Sequence, residues 1–216
     1  MQYFTNEYIN FFLDLEKNNR KEWFHENKKR YENHVRKPMI AFTADLIEQM
    51  QKYDPEIEAI ASKSLGRINR DIRFSKDKTP YNRHLFAHIF KGTKANAIPG
   101  IAYRFGGGDC GIMTGYYTPS KERLYSIRKK IASDISTFQK LISNKNFKEK
   151  FGEVLGEKNK RIPAEFADAH EKEHLIANKQ FYYVAEKEAQ YVTSENLLDD
   201  ILQHWLTAKP INDFLT

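Results

Sequence analysis

The sequence predicts an α+β fold in which N- and C-terminal helices pack on one central antiparallel or mixed sheet. The main observation is a change in hydrophobic period from near four to two between Lys63 and Tyr117. The 216 residues are 40% hydrophobic and 13% aromatic, which suffices for one buried core. No repeat or low-complexity linker divides them. We therefore expect a single domain over 1–216 that is helical over 1–55, sheet-rich over 63–118 and helix-rich over 119–216.

Two amphipathic helices are predicted before the sheet. The first covers Thr5 to Glu16, with Thr5 or Asn6 as its N-cap, and ends at Asn18-Asn19. The second restarts near Pro38, because proline is favoured in a first helical turn, and ends at Asp54-Pro55. Its apolar residues recur every three or four positions: Tyr31, Val35, Met39, Phe42, Leu46, Met50 and Tyr53.

The alternating region predicts strands near 65–73, 84–91, 100–105 and 110–116. The last two strands are expected to form a hairpin through Gly106-Gly107-Gly108-Asp109. One further strand is predicted near 181–185.

The C-terminal part is predicted to be mainly helical. Thr118-Pro119-Ser120 begins a helix that runs to about Ser143, and a short helical piece near Phe147 and a charged helix over 168–178 follow. A terminal helix carries the apolar stripe Leu197, Leu198, Ile201, Leu202, Trp205 and Leu206. We expect Thr193 or Ser194 to cap this helix and Pro210 to end it.

Composition excludes several classes of protein. The chain has too many aromatic residues for a disordered protein and no apolar run approaching the roughly 20 residues of a membrane helix. Its first residues lack the pattern of a secretory signal, so we expect a cytoplasmic protein. The single cysteine, Cys110, cannot form an internal disulfide and is expected to be an ordinary hairpin residue.

Two motifs resemble catalytic or cofactor sites, and neither is interpreted as one. His170-Glu171-Lys172-Glu173-His174 fits the zinc pattern H-E-x-x-H, but its intervening residues are polar, which favours a solvated helix face. The stretch from Gly106 to Gly111 fits G-x-G-x-x-G, but a dinucleotide motif must open a helix and a strand follows here. We expect these glycines to supply positive φ angles in the hairpin. His84 and His88 are taken as structural, and no metal or cofactor is predicted.

The basic residues are concentrated in one segment. The formal net charge of the chain is +6, and the residues from Leu65 to Arg83 account for +4 of it. Their alternation predicts that Arg67, Asn69, Asp71 and Arg73 project from one face of a strand. The candidate ligand-binding residues are Arg67, Arg70, Arg73, Lys76, Lys78 and Arg83. The alternative is a buried ion network in which Arg67, Asp71, Arg73 and Asp77 neutralise one another and tie the strand to the loop.

The string from Arg70 to Tyr81, Arg-Asp-Ile-Arg-Phe-Ser-Lys-Asp-Lys-Thr-Pro-Tyr, resembles the signature of the bacterial family called domain of unknown function 2461. Asn82 departs from the lysine usual there. Further matching residues are Phe12-Leu13, Leu15, Asn18-Asn19-Arg20, Trp23-Phe24, Gly115, Tyr117, Pro119, Leu124 and Ile127-Arg128. The resemblance implies one α+β domain in the bacterial cytoplasm and no established activity.

The leading functional interpretation is binding of a small phosphorylated or carboxylated ligand at the basic segment, with Asp71 and Tyr81 as candidates for proton transfer if the protein is an enzyme. The alternative is a non-catalytic interaction module that grips an acidic protein surface or a nucleic-acid backbone. Nucleic acid ranks lower because the charge forms one compact patch. A concave pocket over the cluster favours a small ligand, whereas a flat or convex patch favours a partner. Enzymatic activity and oligomeric state remain open at this point.

Overall fold

The computed structural model describes residues 2–93 and 97–216, and its centre is a four-stranded antiparallel sheet. The strands lie in the order β1-β2-β3-β4, which confirms the antiparallel alternative of the predicted α+β fold. Their bounds are β1 (His84–Lys91), β2 (Ile98–Gly106), β3 (Asp109–Tyr116) and β4 (Phe181–Glu188).

Helices precede and follow the sheet. The N-terminal ones are α1 (Asn6–Lys17), α2 (Lys21–Glu26), α3 (Lys28–Tyr31), α4 (Lys37–Gln51) and α5 (Ala61–Ser64), and a π turn (Glu32–Arg36) joins α3 to α4. The later ones are α6 (Lys121–Ser133), α7 (Ile135–Ile142), α8 (Lys145–Phe151), α9 (Ala167–Lys172) and α10 (Leu197–Leu215). Among the described residues, every helix is too short or too polar to cross a lipid bilayer.

The two faces of the sheet differ in burial because side chains alternate along each strand. The inner face is buried against helices, which include α1, α4 and α10. At its centre the Phe42 ring of α4 packs against Tyr103 and Phe105 of β2, with ring centroids 5.4 and 5.9 Å away. The outer face carries half-buried or exposed side chains, among them Phe86, His88 and Met113.

The strand predicted at 65–73 is absent from the described sheet, and that prediction was wrong. The segment makes single bridges, from Leu65 to Ala87 of β1 and from Asn69 to Tyr81. It pairs with the chain that follows it, because the Arg70 N–H donates to the Pro80 carbonyl at 2.9 Å. Its alternating pattern is therefore that of a loop folded on itself, and the predicted single face of arginines does not form.

Two predicted helices are interrupted by acidic residues that cap a following turn. The helix expected from Ser120 to Ser143 breaks at Asp134, whose carboxylate accepts from the Thr137 N–H at 3.0 Å and begins α7. The helix expected over 168–178 ends at Lys172, where Glu173 caps a 3₁₀ turn (His174–Ala177). An Asp or Glu side chain that bonds a nearby N–H competes with continuation of the helix.

The terminal helix α10 continues past Pro210 to Leu215, so the predicted end was wrong. Proline removes one backbone donor, and the buried residues Ala208, Ile211 and Leu215 on both sides of it pack into the core. The predicted cap was also wrong, because the N-cap position is Asn196. Thr193 belongs to a preceding 3₁₀ turn (Ala189–Thr193).

The hairpin between β2 and β3 forms as predicted, but the reason for its glycines differs. None of Gly106, Gly107 and Gly108 has a positive φ angle. A Cβ at Gly106 would lie 2.8 Å from the Arg83 carbonyl oxygen, and one at Gly107 would lie 2.8 Å from the Leu13 nitrogen. At Gly106 and Gly107, glycine is required because neighbouring backbone approaches closely, whereas a Cβ at Gly108 would meet no atom within 4 Å.

Candidate functional site

The predicted binding residues lie in the surface loop that connects α5 to β1. We call residues 67–83 of this connection the basic loop. Its base is held by the Asn82 N–H, which donates to the Ile68 carbonyl at 2.8 Å. The six basic residues do not converge on one point. The structure places each of them differently, and the contacts below divide them into internal, paired and free cations.

Arg70 is the internal cation of the basic loop. Its Nη1 donates to Asp77 Oδ2 at 2.6 Å and to the Thr79 carbonyl at 3.1 Å, and its guanidinium also contacts the hydroxyl groups of Thr79 and Ser75. The pKa of Asp77 falls to about 2 because the Thr79 N–H and Arg70 donate hydrogen bonds to its carboxylate. Arg70 therefore gives the loop its shape.

Arg73 forms a surface ion pair with Asp71. Its Nη2 donates to Asp71 Oδ2 at 2.7 Å and its Nε donates to Oδ1 at 2.9 Å. These bonds lower the pKa of Asp71, so this carboxyl is ionised and already hydrogen-bonded at neutral pH. A proton-accepting role for Asp71 requires Arg73 to move away first. The pair is at the surface, where an ion pair contributes little to stability.

Phe74 projects from the tip of the basic loop with 96% of its surface exposed. The Arg73 guanidinium lies 5.8 Å from the centre of its ring. Arg67 and Lys76 are also exposed, and their side chains bond no other described residue. The remaining two cations are occupied: Lys78 donates to the Ile72 carbonyl at 3.0 Å, and Arg83 pairs with Glu16 of α1 at 2.6 Å.

Tyr81 anchors the basic loop to the N-terminal helices. The Asn19 side chain donates to the Tyr81 carbonyl at 2.9 Å and accepts from the Tyr81 N–H at 3.0 Å. The Phe24 ring of α2 stacks on Tyr81 at 4.1 Å. Burial raises the pKa of Tyr81, so its hydroxyl stays protonated at neutral pH. The geometry assigns Tyr81 an anchoring role at this position.

The H-E-x-x-H segment does not present both histidines on one helix, because α9 ends at Lys172. Glu173 is buried and accepts from the Leu175 N–H at 2.9 Å, while the rings of His170 and His174 contact each other at 5.4 Å. Within residues 2–93 and 97–216, no three metal-binding side chains come together. Glu173 therefore acts as the cap of the 3₁₀ turn that follows α9.

Sequence reasoning missed a buried polar cluster on α10. His204 is 1% exposed, and its Nδ1 lies 2.7 Å from the Asp200 carbonyl, which can only accept. The neutral ring therefore carries its proton on Nδ1, and its buried Nε2 bonds no described residue. The Asp200 carboxylate accepts from the Tyr191 hydroxyl at 2.6 Å and from Lys150 at 3.3 Å. Apolar periodicity does not distinguish His204 from a surface residue, so the sequence offered no clear signal.

We expect stability to fall as the pH decreases below the ordinary histidine pKa of 6.5. Burial, together with Lys150 and Lys187, lowers the pKa of His204 despite nearby Asp200, and desolvation lowers that of His84. The unfolded chain therefore takes up these protons first, and protonation favours unfolding. Thermal melting between about pH 7.5 and 5.5 measures the decrease. A His204→Gln variant should show a smaller decrease than the wild type, and an equal decrease would contradict this role.

The fold and the site together define a class: an α+β protein built on one antiparallel sheet, with a projecting basic loop that two N-terminal residues anchor. The chain belongs to the family described as "Conserved hypothetical protein (DUF2461)", whose model matches residues 7–214. The search of curated proteins and the search of solved structures return no match. The family membership confirms the resemblance, and two of its motifs meet in space, since Asn19 and Phe24 contact Tyr81.

Proposed function

We propose that this protein is a binding module whose basic loop grips an acidic surface on a protein partner. The observation that carries the proposal is the position of Phe74, an aromatic side chain almost fully exposed beside Arg73. A single exposed apolar side chain is ordinary on a protein surface, but Phe74 lies beside an arginine, and aromatic and arginine residues dominate the binding energy of protein interfaces.

The shape of the loop supports a partner surface over an enclosed small ligand. Two cavities of about 880 and 470 Å³ lie elsewhere, and neither is lined by a residue of the basic loop. The side chains of Phe74 and Arg73 project into solvent. A small phosphorylated or carboxylated ligand bound at the loop stays a prediction, and inorganic phosphate serves as its probe below.

The charges of the loop suit carboxylates on a flat surface. Arg73 can exchange Asp71 for a partner carboxylate and keep its own hydrogen bonds, while the displaced Asp71 carboxylate, which is exposed, bonds water instead. Arg67 and Lys76 add free positive charge. The Arg70 network holds the loop in shape, which lowers the entropic cost of binding. A nucleic-acid backbone is the weaker candidate, because within the basic loop only Arg67 and Lys76 bond no other described residue, and two cations are too few to follow a row of phosphates.

The test measures binding of three probes by fluorescence anisotropy or by thermal shift: a labelled peptide of alternating glutamate and leucine, a single-stranded oligonucleotide and inorganic phosphate. We expect the peptide to bind best. Arg73→Ala should weaken peptide binding about tenfold through loss of a charge-assisted hydrogen bond, and Phe74→Ala about fivefold. Both variants should melt within about 1 °C of the wild type, because these side chains are exposed.

The matched control is Lys145→Ala, which removes an equally exposed cation from α8. This control should bind the peptide as the wild type does. If peptide affinity fell equally in the control and in the loop variants, the effect would come from net charge alone, and this result would contradict the proposal. Preferential binding of the oligonucleotide would favour a nucleic-acid partner, and a phosphate-dependent rise in melting temperature that Arg73→Ala abolishes would favour the small ligand.

A further inference from the structure

We propose that the outer face of the sheet is a binding groove for a small amphipathic anion, with its flat apolar part against the strands and its acidic group at Arg123. The groove has a volume of about 880 Å³ and lies between β1, β4 and the first turn of α6. It is separate from the basic loop, and it does not depend on the function proposed for that loop.

Two small residues on the central strands, Ala102 of β2 and Gly115 of β3, deepen the groove beside the larger His88 and Tyr182 of the edge strands. The pairing register runs directly across all four strands through His88, Ala102, Met113 and Val184. In the neighbouring row, Gly115 of β3 pairs with Tyr182 of β4. Ala102 and Gly115 form the low part of the floor, and Met113, which pairs with Ala102, also lines it.

Aromatic rings line both sides of the groove. Phe86, His88 and Phe90 follow one another on the outward side of β1, with successive ring centroids 6.3 and 5.1 Å apart. On the opposite side, Tyr182 contacts Tyr117 edge to face at 4.9 Å. Ring faces and edges of this kind favour a flat apolar molecule. Ligand sites are typically mostly apolar and measure about 300 to 1,000 Å³, so the volume fits one small molecule.

The two arginines at the ends of this face differ in their partners. Arg104 is neutralised by Asp109 at 2.8 Å and by Glu186 at 2.6 Å. Arg123 donates through Nη1 to the backbone oxygen of Thr216 at 2.9 Å and lies 5.5 Å from the centre of the Tyr116 ring. Its Nε and Nη2 groups bond no described residue. These two groups can donate to the acidic group of a ligand at this end of the groove.

Glu122 lies on the same rim and limits where the anion can sit. Its side chain is exposed, and hydrogen bonds from its own N–H and from Ser120 lower its pKa, so it is ionised at neutral pH. An acidic ligand group must therefore approach from the side of Arg123. Removal of the Glu122 charge is expected to strengthen binding if this placement is correct.

The experiment titrates the protein with two fluorescent probes that share one ring system. Anilinonaphthalene sulfonate carries an anionic group, and phenylnaphthylamine lacks it. We expect saturable binding of both, tighter for the sulfonate. Ala102→Phe fills the floor of the groove and should lower the binding affinity for both probes at least about tenfold. Ala102→Ser adds only a hydroxyl group and should change both affinities less than about twofold.

The charge of the probe isolates the role of Arg123. Arg123→Gln should lower the affinity for the sulfonate about tenfold, as expected for loss of one charge-assisted hydrogen bond. The affinity for the neutral probe should stay within about twofold of the wild-type value. Glu122→Gln should tighten the sulfonate about twofold. Arg36→Gln, which removes a cation outside the groove, serves as the control and should bind both probes as the wild type does.

Several results would overturn the proposal. They include absence of saturable binding, probe affinity unchanged in Ala102→Phe, and equal losses of both probes in Arg123→Gln. A mass that depends on protein concentration and falls in Ala102→Phe would show that a second copy of the chain covers the face instead. Each variant is melted first, because the sulfonate probe also binds partly unfolded chains, and only variants that melt as the wild type does are compared.

Discussion

Replacement of Trp205 by alanine is expected to lower the free energy of unfolding by about 3 to 5 kcal/mol. Trp205 lies on α10 and is 2% exposed, and its helix packs against β2, β3 and several other helices. The substitution leaves a large cavity that neighbouring elements cannot close without moving. For a chain of this length, the loss corresponds to a decrease in melting temperature of roughly 10 °C, measured by calorimetry or circular dichroism.

The control for this change is Tyr53→Ala. Tyr53 contacts the Trp205 ring edge to face at 6.4 Å, but it is 56% exposed. Its removal should cost less than about 1 kcal/mol. A melting temperature of Trp205→Ala equal to that of the wild type would mean that α10 contributes little to the core.

Gly115→Ala is expected to destabilise the protein by at least about 2 kcal/mol, although it adds a single methyl group. Gly115 has a φ angle of +98°, which side chains rarely adopt, and a Cβ there would lie 2.3 Å from the Phe181 carbonyl oxygen. That oxygen belongs to the backbone of β4, so relief of the overlap must disturb the pairing of β3 with β4. Urea unfolding measures the loss.

Gly108→Ala is the matched control, because a Cβ at Gly108 meets no atom within 4 Å and its φ angle is not positive. We expect its stability to stay within about 0.5 kcal/mol of the wild type. Equal stability of the two variants would show that β3 and β4 can separate at Gly115 without cost.

Much of the fold is predictable from local patterns. Thr5 caps the first helix by accepting from the Glu7 N–H at 3.3 Å, and β1 covers the predicted residues 84–91. These elements follow local rules: a capping side chain before an apolar stripe, and apolar residues that alternate toward one core. The end of α10 depends on tertiary packing instead. Burial of Ile211 and Leu215 outweighs the backbone bond that Pro210 removes.

The basic loop shows why an alternating pattern does not suffice for a strand. Residues 67–73 alternate polar and apolar except at Arg70, but the loop closes on its own backbone through Arg70 and Pro80. Hydrogen bonds from the Arg70 side chain to Asp77 and Thr79 complete the loop. Which partners Arg70 contacts is visible only in the folded structure. The sequence therefore identifies the residues of the cluster but does not predict how they are paired.

The outer face of the sheet is the part of the structure that the sequence predicts least. Alternation of Phe86, His88 and Phe90 indicates a partly buried strand face, which is the only sequence signal for the groove. The shape of the groove arises from residues in register on four strands, and the position of Arg123 at its rim depends on how α6 meets the sheet. Strand order and register are long-range properties that a single sequence does not display.

Short segments cover part of each outer edge of the sheet. The Gly66 N–H donates to the Phe86 carbonyl at 2.7 Å on β1, and Leu155 exchanges two backbone bonds with Tyr182 on β4. An edge strand with a long row of free backbone groups is a template for aggregation and for the addition of a peptide strand. Because these contacts shorten that row, we expect the native protein to resist growth into β-rich fibres. Mutations that detach Leu65–Gly66 from β1 should increase that tendency first.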